Sequence, residues 1–258
     1  IPHLVCTAIE QAGFVNAFSA RVGGVSPLPG DSLNLGFFDV DSPDNVKENR
    51  RRFLKAIGAA SFRLVTAKQT HSPDRYAIDL PEDLPDAEPE CDAFLARLAG
   101  VLLAVKTADC LPVLIADPKS GSFAAIHAGW RGTAGRIAER TIADLMRDFG
   151  VNPKTSLAAL GPVACGDCYE VGKDVIDRFK REFGYWSRLL KFKEGGKANL
   201  DIRAANRQQL AYCGFSDDRI FTAPFCTMHN NDLFFSYRRD GGSAGVGKML
   251  SVIGRAER

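Results

Sequence analysis

The turn sequence Asp117-Pro118-Lys119-Ser120-Gly121, set between two apolar runs, constrains this chain more than any other segment. Asp and Ser favour a reversal by side-chain hydrogen bonding, Pro by its fixed φ and Gly by its freedom at positive φ. The flanking runs, Val113–Ala116 and Phe123–Ile126, are therefore expected to pair as an antiparallel hairpin. A reversal centred on Lys119 brings Cys110 and His127 nearly opposite each other. Opposed residues in such a pair have Cβ atoms about 4.5–5.5 Å apart, close enough for a thiolate and an imidazole to share one proton or one metal ion. Pro112 removes a ladder donor just past Cys110, so the pair is expected at a frayed, open end of the hairpin, with Ala128-Gly129 leaving room. His71, after the strand-like run Arg63–Gln69, supplies a third ligand from a neighbouring loop.

Histidine is scarce here, with His3, His71, His127 and His229 standing beside seven cysteines, Cys6, Cys91, Cys110, Cys165, Cys168, Cys213 and Cys226. Two His and one Cys with a vacant fourth position is the pattern of a catalytic zinc site, whereas a structural zinc is closed by four protein ligands. A metal-free Cys110–His127 nucleophile pair, as in a cysteine hydrolase, is a second reading. Ordinary hydrogen-bonded histidines around a small buried thiol is a third. Spacing alone leaves all three open. Cys165-Gly166-Asp167-Cys168 has the spacing of a redox or zinc pair, but no second such pair follows, so it reads as incidental thiols in a loop. Cys226 and His229 lack an evident partner and read as packing and surface residues.

The rest of the chain reads as mixed α/β, a single mixed-sheet domain over residues 1–258 with flanking helices. Ser42-Pro43-Asp44 opens a helix with a capping Ser, Pro at the first position and an acid in the first turn. A second helix carries Ile137, Thr141, Ile142, Leu145, Met146 and Phe149 on one stripe and stops at Gly150. Further helices are expected over Lys173–Phe183 and Ile202–Cys213, and strands over Val101–Thr107, Arg219–Thr222 and Leu233–Tyr237. Trp130 and the Phe234-Phe235 pair could stack a purine but read more simply as core. Gly242–Lys248 imitates a phosphate-binding loop, yet Met249 stands where such a loop needs Ser or Thr, which argues against an NTPase.

A 45% apolar, 25% charged composition excludes a disordered or collagen-like chain. Lys and Arg total 33 against 31 acids, so no basic stripe points to nucleic acid as partner. No run approaches the roughly 20 apolar residues of a membrane span. An odd number of scattered cysteines suits a reducing, cytoplasmic setting, although a start at Ile1 leaves room for a short leader already removed. The oligomeric state, monomer or weak dimer, is not fixed by these features.

The segments Ser32-Leu33-Asn34-Leu35-Gly36, Asn49-Arg50, Gln69-Thr70-His71, Thr107-Ala108-Asp109-Cys110-Leu111-Pro112-Val113, His127-Ala128-Gly129-Trp130-Arg131-Gly132, Leu160-Gly161-Pro162, Tyr169-Glu170-Val171-Gly172 and Phe234-Phe235-Ser236-Tyr237-Arg238-Arg239-Asp240 closely resemble the YfiH/laccase-domain family. Its members have been labelled polyphenol oxidase, purine nucleoside phosphorylase and peptidoglycan editing factor. The resemblance runs from about Phe18 to near the C-terminus and implies a cytotoxic-necrotizing-factor/YfiH-like α/β fold. It further implies a cytosolic, zinc-dependent enzyme that phosphorolyses adenosine, inosine, guanosine and methylthioadenosine and deaminates adenosine. By motif the family's zinc ligands fall on His71, Cys110 and His127, the same three residues that the spacing selects. Two departures are visible: Cys165–Cys168 occupies a variable loop, and Ser243-Ala244-Gly245 replaces a usual Thr-Gly pairing.

On this resemblance the partners are purine nucleosides and phosphate. Arg50, Lys68, Arg131 and Arg238 lie in or beside the motifs and are candidates to hold phosphate, Arg50 and Arg131 first because each sits near an expected helix start. Asp109 is expected to point away from the face that Cys110 uses and to orient a zinc-bound histidine. A Cys-His hydrolase editing a peptidoglycan precursor is the alternative. A copper polyphenol oxidase is disfavoured, because several coppers need many histidines and two of the four here lie outside the motifs.

Overall fold

The reversal forms where its chemistry demands. In the computed structural model, which describes residues 1–27, 32–37, 41–242 and 245–257, strand Leu111–Asp117 pairs antiparallel with Ser122–Ala128. The Asp117 carboxylate accepts from Ser120 N at 3.2 Å, and Gly121 takes φ +74°, as glycine does at little cost. Pro112 faces His127, one residue away from a Lys119-centred register. That shift sets Cys110 beyond the paired segment, diagonal to His127.

Every residue of both strands is buried, which explains their near-continuous apolar character. They are the middle of a six-stranded sheet in the order Ile220–Thr222, Leu157–Leu160, Leu111–Asp117, Ser122–Ala128, Ala93–Ala96, Arg75–Ile78. The expectation of a frayed end at Pro112 is thus corrected. Proline is tolerated in this central strand because the facing amide, His127 N, donates instead to Asp92 O at 2.7 Å, while Pro112 O accepts from Gly161 N at 3.0 Å.

A five-stranded sheet runs in the order His3–Leu4, Val15–Ser19, Met249–Gly254, Val101–Thr107, Arg63–Val65. Strand alternation sorts the core into layers. Leu114 and Phe123 of the larger sheet meet Leu103, Val105 and Ile253 of the smaller one. Their opposite faces meet helices: Val113, Ile115 and Ile126 pack on Ile137, Ile142 and Leu145, and Leu102, Ala104 and Val252 pack on Phe53. A third sheet joins Glu170–Val171, Ala198–Leu200 and Leu190–Phe192. The class is mixed α/β, as expected.

Helix Pro43–Ala56 starts with Ser42 Oγ accepting from Asn45 N at 3.2 Å. Helix Ile137–Phe149 stops at Gly150, whose φ of 66° provides the left-handed cap. Its buried stripe holds Ile137, Ala138, Thr141, Ile142, Leu145 and Phe149, while Met146, expected on that stripe, is 47% exposed. Helices Lys173–Glu182 and Ile202–Tyr212 end within a residue of their expected bounds. The expected strand Leu233–Tyr237 is instead irregular, with turns at Leu233 and Tyr237 around an unpaired 234–236. Side chains take its backbone groups: Arg239 donates to Phe234 O at 2.9 Å, and the Asp240 carboxylate takes Ser236 N at 3.1 Å. Phe234 and Phe235 are core. Ser243 and Ala244, where the sequence departs from the family pattern, lie outside the described residues. Among the described residues no helix is long and apolar enough to cross a membrane.

Candidate metal centre and its cavity

Asp92, just before strand Ala93–Ala96, organises the site although no motif contains it. Its carboxylate is fully buried and lies 2.7 Å from His127 Nδ1. It also accepts from three successive backbone amides, Thr70 N at 3.0 Å, His71 N at 3.1 Å and Ser72 N at 2.8 Å. Those bonds hold His71 in the left-handed region, φ 60°, which costs a residue with a Cβ of order 1–2 kcal/mol. One carboxylate therefore aims both histidines. Burial works against its charge, yet hydrogen bonding to His127 and the loop amides keeps its carboxyl down at about 2.

The ligand atoms of His71, Cys110 and His127 all lie within 4.8 Å of one another, and the two imidazoles stand edge to face with centroids 4.9 Å apart. His127 is buried, Cys110 partly so, and His71 exposed at the rim. Gly129 leaves the room: a Cβ there would sit 3.1 Å from Cys110 Sγ and 3.1 Å from His71 Cδ2. Burial would raise the Cys110 thiol, but His127 and His71 overcome it and bring the thiol down to about 6. Burial would lower His127, but the Cys110 thiolate and Asp92 carry it up to about 9. A thiolate, two imidazoles and a supporting carboxylate with a fourth side open suit zinc in its catalytic form. In metal-free protein, alkylation of Cys110 by iodoacetamide is expected to rise through a midpoint near pH 6, while Cys91, pushed up by burial to about 12, stays inert; peptide mass spectrometry across pH 4–9 reads both.

The centre sits on the floor of a cavity of about 550 Å³, within the roughly 300–1,000 Å³ range of small-molecule sites. Lys68, Lys106, Arg131, Arg238 and Lys248 line it against Glu88 and Asp109, with the rings of Phe37, Trp130, Tyr169 and Tyr237. Three of the four cations proposed for phosphate are present. Lys68 pairs with Glu90 at 2.7 Å, Arg238 donates to Glu170 O at 2.9 Å and stacks on Tyr169, and Arg131 lies over Trp130. Arg50 is not among the lining residues. It stands within helix Pro43–Ala56, donates to Leu35 O at 2.9 Å and stacks on Phe37 at 4.5 Å, so it reaches the cavity only by bracing that ring.

Asp109 is corrected as well. Its carboxylate accepts from Thr227 Oγ1 at 2.6 Å and Arg238 N at 2.7 Å, fastening the 225–240 segment, and the histidine is oriented by Asp92 instead. Its φ of 97° breaks the strand alternation that would set it on the face opposite Cys110. Lys248, part of the phosphate-loop imitation, is a cavity residue, and burial lowers its ammonium pKa. The thiols read as incidental are not isolated: Cys165, Cys168, Cys226 and His229 form a second cluster able to bind a metal.

A family model described as multi-copper polyphenol oxidoreductase laccase matches residues 15–256. The chain belongs to this laccase-domain, or YfiH, family. Purine nucleoside phosphorylase YfiH of Escherichia coli is 39% identical over 244 residues, covering 95% of each chain. Purine nucleoside phosphorylase of Deinococcus radiodurans is 38% identical over 258 residues, covering 100% of this chain and 95% of the other. Adenosine deaminase RL5, from an unknown prokaryotic organism, is 35% identical over 240 residues, 90% of this chain and 91% of its own. The crystal structure of YlmD from Geobacillus stearothermophilus superposes with a TM-score of 0.91 at 34% identity, covering 100% of this chain and 97% of that one.

Proposed function

We propose that this laccase-domain protein is a zinc-dependent purine nucleoside phosphorylase, acting on adenosine, inosine, guanosine and methylthioadenosine, with adenosine deaminase activity. The observation that carries the reading is an open His71–Cys110–His127 set on the floor of a cavity lined by five cations and four aromatic rings. The names of the relatives agree with it.

In phosphorolysis a phosphate oxygen bonds to the anomeric carbon as the bond to the purine nitrogen breaks, and the departing base takes the electron pair. Zinc held by His71, Cys110 and His127 would supply a Lewis acid with one open position beside the reacting groups. Asp92 keeps His127 Nδ1 engaged, so the other ring nitrogen is the one offered to a metal. Arg131 holds phosphate: it lies at the cavity wall, its guanidinium over the Trp130 ring. Tyr169, Tyr237 and Phe37 line the cavity and give it the aromatic surface that a purine would pack against. Lys248, beside Cys110 and Asp109, offsets the negative charge that phosphate brings. Arg131→Ala is expected to raise KM for phosphate about 10- to 100-fold, the worth of a charged hydrogen bond or two, with metal content unchanged. Release of free base and ribose 1-phosphate from adenosine, only when inorganic phosphate is present, tests the activity itself.

The copper chemistry in the family's description needs several histidine-rich centres. His3 Nδ1 lies 2.9 Å from Ile1 O and His229 sits with Cys168, which leaves only His71 and His127 at the cavity. One arrangement favours a second reading. Cys110, His127 and Asp92 stand in the order of a nucleophile, base and orienting carboxylate, as a cysteine hydrolase acting on a cell-wall precursor requires. Such an enzyme keeps its activity in chelator and loses it to thiol alkylation, whereas the phosphorylase loses it to chelator.

A further inference from the structure

The second cluster joins two short knuckles, Cys165-Gly166-Asp167-Cys168 and Cys226-Thr227-Met228-His229. Their four ligand atoms all lie within 4.8 Å of one another. Cys168 Sγ is 3.9 Å from Cys226 Sγ and 3.0 Å from His229 Nε2. Tetrahedral zinc, with bonds of about 2.0–2.3 Å to nitrogen and sulfur, requires ligand atoms roughly 3.5–3.8 Å apart, so small side-chain adjustments complete the geometry.

The backbone presents the knuckles to each other. Val163 and Cys226 form a parallel bridge, Thr227 N donates to Val163 O at 3.2 Å, and Cys165 N points at Cys226 Sγ at 3.4 Å. Each knuckle closes on itself, Cys168 N to Cys165 O at 2.9 Å and Asn230 N to Cys226 O at 3.1 Å. Gly166 permits the approach, because a Cβ there would fall 2.8 Å from Asp201 Cβ, the capping residue of helix Ile202–Tyr212. All three thiols are free.

We propose that Cys165, Cys168, Cys226 and His229 bind a second zinc ion in a closed Cys₃His site whose role is structural. Four protein ligands leave no open position for a substrate, unlike the three at the cavity floor. One residue beside the first knuckle and one within the second explain what the ion would hold. Tyr169 lines the cavity with Arg238 stacked on it, and Thr227 bonds the Asp109 carboxylate. The site would staple the loop that ends in Tyr169, a cavity residue, to the loop whose Thr227 holds Asp109, another cavity residue.

Zinc analysis of protein purified without chelator tests this, together with cobalt spectra of each variant. Wild type is expected to hold two zinc ions per chain, Cys110→Ala one, and Cys168→Ser/Cys226→Ser one. Cobalt added to metal-free Cys110→Ala protein should give the intense thiolate-to-cobalt bands of three sulfur ligands, a readout that does not need the knuckle variant to fold. Equal zinc in wild type and the knuckle double variant, no such bands in Cys110→Ala, or a non-reduced thiol count two below the seven cysteines would each overturn the proposal. Loss of only the Cys110-dependent zinc leaves this inference standing, so its failure and that of the catalytic reading are separable.

Discussion

Replacing Cys110 by alanine is expected to strip the cavity-floor metal and lower nucleoside phosphorolysis by about 10³-fold or more, while the chain stays folded. A three-ligand site that loses its only thiolate keeps two neutral imidazoles, which hold zinc far more weakly. Losing Lewis-acid stabilisation of several kcal/mol from the transition state means a decade of rate for each 1.4 kcal/mol or so. Folding should be little affected, because the side chain lies at the cavity floor against Gly129, where water can fill the space. Compared with metal-free wild type, removing its sulfur should change stability by no more than about 1 kcal/mol. Metal analysis, circular dichroism and turnover of adenosine with phosphate check the three parts; a variant with normal turnover would show that Cys110 is not a ligand of the reacting centre.

Asp92→Asn is expected to damage both metal affinity and stability. An asparagine can offer one oxygen where the carboxylate serves His127 Nδ1 and three loop amides, and its NH₂ meets donors that it cannot satisfy. Metal affinity should fall about 10- to 100-fold, as when a carboxylate supporting a ligating histidine is lost. Breaking a fully buried charged network should cost about 3–5 kcal/mol. The sign of the pH dependence follows from the carboxyl being held at about 2. A depressed folded-state value means stability that is present above the unfolded carboxyl's value, about 3.9, and lost as pH falls through about 2. The wild type should therefore lose stability on the acid side more steeply than Asp92→Asn. Urea unfolding at pH 7 and pH 3, and zinc competition with a chelator, measure both effects.

What the sequence revealed of the site was its local part. Cys110 and His127 are joined by a turn written in five consecutive residues, and His71 ends a strand-like run. The register missed by one residue, because Lys119 is not the turn's midpoint, and the diagonal contact of Cys110 with His127 survived that error through the space at Gly129. Asp92 was not legible: it precedes a short, alanine-flanked strand without alternation, and its partners stand 35 and about 20 positions away. Its one signal was an acid at the mouth of the apolar run Ala93–Ala96, and Glu88 and Glu90 just before it hid that signal. Cys226 and His229 lie 58 and 61 positions from Cys168, and nothing local announces that pairing. Asp109 and Arg50 escape the sequence reading for different reasons: Asp109 has φ 97°, which breaks strand alternation, and Arg50 lies midway along its helix, not near the start. The class and the long helices were legible because Ser42-Pro43 and Gly150 mark ends by their own conformational preferences.

The most direct test is removal and return of metal on the wild-type protein. Chelation that empties the His71–Cys110–His127 site and leaves about one zinc per chain should abolish phosphate-dependent release of base from adenosine, and zinc restored to two per chain should recover it. Full phosphorolysis by the chelated protein, with Cys110 still accessible to alkylation, would contradict a metal-dependent reaction at this centre.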